Sequence, residues 1–212
     1  VADSMELLRL HYDRGVRRII ATPHIRSDFF ANTETSIRQA YERLAREDLQ
    51  THFPELTLSF AAEYFANDYF MELVGRNELL PLFDNYVLIE TSMREELPYF
   101  EEILQYMIAE GWQPVLAHPE RYRQWHAQPE QYVKLRKIGV LFQINLLSLG
   151  GAYGSTEQTL AERLIEQGWV DAVGSDLHRA SQYHYLERAQ QHPLYPTLMA
   201  LPLLNHQLNV LS

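Results

Sequence analysis

The chain has 212 residues, 46% of them apolar, no cysteine, and a formal net charge of -10. That length and apolar content can bury one core without staples, no stretch approaches the ~18 to 20 apolar residues of a membrane span, and the acidic balance argues against a basic, phosphate-tracking surface for nucleic acid. Lack of cysteine removes thiolate nucleophiles, thiolate metal sites and disulfides, so a soluble protein of a reducing compartment, the cytoplasm, is expected.

The first element is a helix, Ser4 to Tyr12, capped by Asp3 or Ser4 and stopped by Gly15. Six β-like apolar runs follow, each ending on a carboxylate, imidazole or amide. They are Arg18 to His24, Leu58 to Glu63, Tyr86 to Glu90, Pro114 to His118, Leu141 to Asn145 and Asp171 to Asp176, the last followed by His178. Between them lie helices. Pro98 opens one with Phe100, Ile103, Leu104, Met107 and Ile108 on one face, closed by Gly111, and Pro129 to Gly139 and Thr156 to Gly168 repeat the pattern. Gly150, Gly151 and Gly154 read as turn residues.

The tail, residues 183–212, breaks this rhythm. Its Pro193, Pro196 and Pro202 punctuate apolar stretches, which predicts two short helices packed on the outside of the fold. No linker or composition shift divides the chain, so 1–212 is expected to be one domain.

The strand-end residues 24, 63, 90, 118, 145 and 176 lie 39, 27, 28, 27 and 31 positions apart, about one strand plus one returning helix. That period predicts an α/β fold of the (β/α) barrel kind, in which strand C-termini meet on one face and carry the active site. His24, Glu63, Glu90, His118, Asp176 and His178 would converge there. Three imidazoles and three carboxylates in one concavity are costly unless a cation compensates them, and a cluster of divalent ions is the simplest answer. Because the chain opens on a helix, a strand is expected upstream of Val1, and the barrel is read as N-terminally truncated.

Each residue also has a plainer reading. Glu63 and Glu90 would serve as helix caps, Asp176 and His178 as a capping pair, and Arg121 as a surface cation beside Glu120. Against the capping pair, alternation along an extended segment puts Asp176 and His178 on the same side.

Four segments carry a resemblance: Thr22-Pro23-His24, Ala117-His118-Pro119-Glu120-Arg121, Asn145-Leu146-Leu147-Ser148-Leu149-Gly150-Gly151 and Ser175-Asp176-Leu177-His178. In order and spacing they are similar to the PHP superfamily (polymerase and histidinol phosphatase), and among its members to the metal-dependent bacterial protein-tyrosine phosphatases of capsule and exopolysaccharide biosynthesis. The resemblance spans nearly all of positions 1 to 180. It implies a distorted seven-stranded barrel, six of whose strands are visible. It implies His24, Glu63, Glu90, His118, Asp176 and His178 as metal ligands, with Glu63 bridging two ions, and Arg121 as the group that grips phosphoryl oxygens. Tyr122 and Arg179 are placed with Arg121 as substrate-binding candidates.

The chain departs from that family twice. The family's opening strand ends in a His-x-His pair that is not in this sequence, and an arginine expected several residues after Ser-Asp-x-His is replaced by Ser181, Gln182 and Tyr183, with Arg179 the nearest substitute.

Imidazole and carboxylate donors without thiolate suit manganese, iron, zinc or magnesium, and ligand type alone does not choose among them. The resemblance points to manganese, two or three ions in the complete protein. Such ions can activate water, align it with a phosphoester and neutralise the departing oxygen, while Arg121 adds a planar, bidentate fork. The expected function is hydrolysis of phosphotyrosine on a protein, by resemblance a tyrosine autokinase regulating polysaccharide export, with no nucleic-acid partner. Unpaired strand edges would also invite a homo-oligomer. The alternatives are a small-molecule phosphomonoesterase of the histidinol-phosphate type, a nucleotide phosphodiesterase, and a binding module that has lost catalysis with the His-x-His pair.

Overall fold

A computed structural model of the chain describes residues 1–207. Helix α1 (Ala2–Tyr12) leads into β1 (Arg18–Ala21) and β2 (His24–Ile25); an excursion through α2 (Glu34–Ala45) and α3 (Leu49–His52) returns as β3 (Thr57–Phe60) and β4 (Glu63–Phe65). Strand and helix then alternate through α4 (Asp68–Arg76), β5 (Tyr86–Glu90), α5 (Phe100–Ala109), β6 (Gln113–Ala117), α6 (Pro129–Lys137), β7 (Leu141–Asn145), α7 (Leu146–Leu149), α8 (Ser155–Glu166) and β8 (Ala172–Gly174). Helices α9 (Tyr183–Gln190), α10 (Tyr195–Met199) and α11 (Leu204–Gln207) close the described chain.

All strand pairs are parallel. The main sheet has six strands in the order β2-β4-β5-β6-β7-β8, and β1 pairs with β3 alongside it. The first two runs, expected as single strands, are each broken in two. Pro23 has no N–H to give the ladder, yet contact continues across the break: the Ala61 N–H donates to the Ala21 carbonyl at 2.9 Å and the Glu63 N–H to the Pro23 carbonyl at 3.2 Å. Among the described residues the sheet is a curled half-barrel with β2 at one end and β8 at the other.

Period-two alternation sorts the strands onto two faces. Val87, Ile89, Leu116, Phe142 and Ile144 join a large core that includes helix residues Ile103, Leu104, Met107, Leu135, Leu164 and Ile165. Their alternates Leu88, Val115, Ala117 and Ala172 form a smaller cluster on the opposite face. Fully burying a leucine or isoleucine contributes about 1.5 to 3 kcal/mol before entropy, so each face is held by several such side chains. The inner rows Tyr86-Leu88-Glu90 and Leu141-Gln143-Asn145 finish on polar groups, and the site begins where these rows end.

The tail departs from the expected outer packing. Ala189, Leu198 and Leu203 do join the large outer core, but Leu204 packs with Leu88, Val115, Ala117 and Ala172 on the inner face. Beside it the Asn205 carboxamide imitates a neighbouring strand, accepting from the Val173 N–H at 2.8 Å and donating to its carbonyl at 3.0 Å. Residues 208–212 of the expected tail lie outside the described residues. Near the other end of β7, Gly150 permits contact between α7 and α9, since a Cβ there would lie 2.0 Å from the Tyr185 carbonyl oxygen.

Candidate metal centre

Register places the first three polar groups. His24 on β2 stands directly opposite Glu63 on β4, and Glu63 in turn stands opposite Leu88 on β5. Glu90 lies two residues beyond Leu88 and so emerges on the same face. One donor atom from each of His24, Glu63 and Glu90 lies within 4.8 Å of the others. Both glutamates are buried, at 5% and 7% exposure.

His118 reaches this group by a backbone device. On β6 the inner residues are Val115 and Ala117, so alternation alone would turn residue 118 outward with Leu116. Its left-handed conformation, φ 37° and ψ 56°, reverses that direction and is uncommon for a residue with a Cβ. The His118 Nε2–H donates to Glu63 Oε1 at 2.9 Å, with Glu90 Oε2 at 3.7 Å. Glu63 therefore faces two imidazoles, His118 through one oxygen and His24 through the other at 3.9 Å.

Nδ1 of His24 is 3.2 Å from Glu90 Oε1, but the alignment is not that of a hydrogen bond, and the buried nitrogen has no hydrogen-bond partner. Nδ1 of His118 is also buried without one. The Glu90 carboxylate, ahead of Glu63, raises the His24 pKa above its ordinary 6.5 against the cost of burial. Burial opposes the charged form of His118 most strongly, yet the Glu63 hydrogen bond and charge lift it overall. The site favours positive charge at both imidazoles.

A second cluster adjoins the first. Asp176 Oδ2 accepts from Asn145 Nδ2 at 2.7 Å, Arg121 Nη1 at 2.9 Å and the Tyr153 hydroxyl at 3.1 Å. The Arg121 guanidinium also lies 4.1 Å from the Tyr153 ring centre, a cation–π contact. These three donors all bond one carboxylate oxygen; the other, Oδ1, lies 3.4 Å from His178 Nδ1.

Asp176 has φ 52°, so the segment is not extended there and the alternation argument for Asp176 and His178 is corrected. His178 is nonetheless oriented: its Nδ1–H donates to the Asp176 carbonyl at 2.9 Å, which leaves Nε2 with the lone pair. Its ring centre is 6.4 Å from that of His24. All six candidate ligands therefore lie along one end of the sheet, with His24, Glu63 and Glu90 the tightest group.

The capping alternatives fail on geometry. Asn67, not Glu63, caps α4, accepting from the Phe70 N–H at 2.9 Å, and Tyr99 occupies the N-cap of α5. Gln182 accepts the N–H groups of both His178 and Arg179. Arg179 is exposed beside the cluster. Tyr122 is a correction: it is fully buried, its hydroxyl donates to the Ala117 carbonyl at 2.9 Å, and its ring packs on Trp125, so it supports the site from behind and has no surface to offer a substrate.

Three contributors carried little sequence signal. Tyr153 follows Gly150 and Gly151 in what reads as a turn, and Asn145 stands out only as a strand end. Glu120, fully buried, accepts from the Asn145 N–H at 3.0 Å and the Ser148 hydroxyl at 2.6 Å, tying the turn that carries Arg121 to the end of β7. Burial raises its carboxyl above the ordinary 4.5.

The donor set suits divalent metal. Two buried carboxylates face two imidazoles whose Nδ1 atoms lack partners, and no lysine or arginine bonds to Glu63 or Glu90 among the described residues. A buried cluster of this kind is stabilised by an added cation.

A sequence profile described as "Capsular polysaccharide synthesis, CpsB/CapC" matches residues 1–189. Tyrosine-protein phosphatase YwqE of Bacillus subtilis (strain 168) is 30% identical over 190 residues, covering 87% of this chain and 72% of that protein. Tyrosine-protein phosphatase CpsB of Streptococcus pneumoniae is 28% identical over 194 residues, covering 88% and 79%. The fold matches a solved structure with TM-score 0.84 and 28% identity, over 95% of this chain and 82% of that one, from work on YwqE and CpsB described as unique metal-dependent tyrosine phosphatases.

Proposed function

The chain belongs to the CpsB/CapC capsular polysaccharide synthesis family, and on that premise we propose that it is a metal-dependent protein-tyrosine phosphatase. The observation that carries this reading is the group of His24, Glu63 and Glu90 at adjacent strand ends, with His118 bonded to Glu63 and Arg121 close by on Asp176. His24, Glu63, Glu90, His118, Asp176 and His178 are the proposed ligands. Glu63, whose two oxygens face different imidazoles, suits the bridging role.

Bound divalent ions, manganese foremost and two or three in number, would supply Lewis-acid charge and an activated water. The chain's own groups do the rest. Arg121 presents a planar fork to phosphoryl oxygens, and the ring of Tyr153 limits where that fork can turn. Arg179, exposed and next to His178 in the chain, is proposed as a second cation for the same charge. With no cysteine in the chain, hydrolysis proceeds without a thiol-phosphate intermediate. Residues 1–212 are proposed to form one domain of the PHP type, its curled parallel sheet a distorted (β/α) barrel.

The proposed substrate is a phosphotyrosine protein, a tyrosine autokinase of polysaccharide export, met in the cytoplasm. No described helix is long and apolar enough to cross a membrane. Turnover by the manganese-supplied protein on a phosphotyrosyl peptide, a phosphoseryl peptide and histidinol phosphate tests the reading. Preference for the phosphotyrosyl peptide is expected; preference for histidinol phosphate would overturn it.

A further inference from the structure

Two of the most exposed large apolar side chains stand side by side against the proposed metal group. Phe29 is 75% exposed and Phe30 42%. The Phe30 ring stacks on His24, centres 5.0 Å apart at 17°, and Phe29 meets Phe30 edge-on at 5.0 Å and 72°. Exposed phenyl rings gain nothing from water, and a pair of them beside the proposed metal group marks a place of contact.

The loop that carries them is pinned. Arg26 and Phe30 exchange backbone hydrogen bonds at 3.1 and 2.7 Å, the Arg26 guanidinium forks onto Asp28 at 2.9 and 3.1 Å and lies 3.8 Å from the Phe65 ring centre, and Asn32 Nδ2 donates to the His24 carbonyl at 2.9 Å. Such a loop holds its rings in place before any ligand arrives, which lowers the ordering cost of binding.

Resting on the phosphatase reading above, we propose that Phe29 and Phe30 form the wall that receives the aromatic ring of an aryl phosphomonoester, and that this wall selects aryl over alkyl esters. A phosphoryl group placed at His24, Glu63 and Glu90 directs its ester substituent away from the buried carboxylates, toward solvent, and Phe30 is the ring already packed on His24. An aromatic substituent can continue that stack or meet the edge of Phe29. An alkyl chain gains area but not the ring-on-ring geometry. With an Arg26–Asp28 ion pair at its foot and only two rings on its face, the wall fits one ring and not a helix.

The test is binding of phenylphosphonate and methylphosphonate, which share a head group and differ in the ring, to the manganese-loaded protein, by calorimetry. The unmodified protein is expected to bind the phenyl compound about tenfold or more tightly. Phe29→Ala with Phe30→Leu should bring the ratio close to one while methylphosphonate affinity and metal content stay unchanged; the leucine preserves apolar cover on His24. No phenyl preference in the unmodified protein, an unchanged ratio in the variant, or equal loss for both phosphonates would overturn the wall. Phosphotyrosyl peptide turnover is read separately, so failure of the phosphatase reading leaves the binding ratio still decisive.

Discussion

Arg121 and Asp176 are joined by a single charged hydrogen bond, Nη1 to Oδ2 at 2.9 Å, linking the turn after β6 to the loop after β8. The other face of the guanidinium lies against Tyr153, so the fork is held in one orientation near the metal group. Arg121→Ala is expected to lower turnover on a phosphotyrosyl peptide by about 10² or more while the protein remains folded. Lysine there should recover little, because a point charge lacks the planar fork. Near-normal turnover in the alanine variant would return Arg121 to a surface cation.

Asp176 Oδ2 accepts three hydrogen bonds, and these hold the carboxylate in one orientation. Tyr153→Phe removes one donor and keeps the ring under Arg121. Removal of a group that orients a ligand typically costs 10- to 100-fold in metal affinity, so metal titration should give a roughly tenfold weaker site. An unaltered titration would mean that Asn145 and Arg121 suffice.

Metal removal should silence the protein. A strong chelator is expected to abolish phosphatase activity, added manganese to restore it, and a thiol-alkylating reagent to leave it intact, since the chain has no cysteine. Turnover surviving exhaustive chelation rules the metal chemistry out.

Much of this architecture is legible in the sequence. Strand period located all six runs, and the polar residue ending each one lies at the end of the sheet where the site forms. What sequence could not supply was backbone handedness. Residues 118 and 176 both adopt positive φ, and a period-two reading cannot see that His118 turns inward or that Asp176 leaves the extended path. Pro23 carried a signal for the break between β1 and β2, since a proline cannot donate to a ladder. Helix α2 was signalled by Thr33 and Ser36, whose side chains bond each other's backbone N–H groups. Tyr122 misled because a motif position says nothing about burial.

Protons and metal compete for the imidazoles. The folded protein raises the His24 pKa above 6.5 through Glu90 and Glu63, so in metal-free protein His24 contributes stability fully below pH 6.5 and loses it as pH rises through the higher folded value. Metal needs the neutral ring. Affinity for manganese should therefore rise with pH through and beyond 6.5, while the melting temperature of metal-free protein falls over the same window. Parallel titrations and melts across pH 5.5 to 8.5, about three units around that value, would expose the opposite slopes, and a pH-independent affinity would exclude His24 as a ligand.

Asn205 is the last described contact that matters to the sheet. Its carboxamide satisfies both the N–H and the carbonyl of Val173 on the outer edge of β8, while neighbouring Leu204 fills the inner face and its N–H donates to the Asp171 carbonyl at 2.7 Å. Asn205→Ala removes two hydrogen bonds and leaves a strand edge unpaired. At about 0.5 to 1.5 kcal/mol per bond, a loss of roughly 1 to 3 kcal/mol is expected in denaturant unfolding. Asp at the same position keeps the acceptor for the Val173 N–H but sets a charge against the carbonyl, so it should restore little. An open β8 edge also offers a template for another chain, so the alanine variant should self-associate at concentrations where the parent protein does not. Sedimentation and unfolding on the same samples separate the two effects: lost stability without association would mean that Leu204 alone keeps the edge covered.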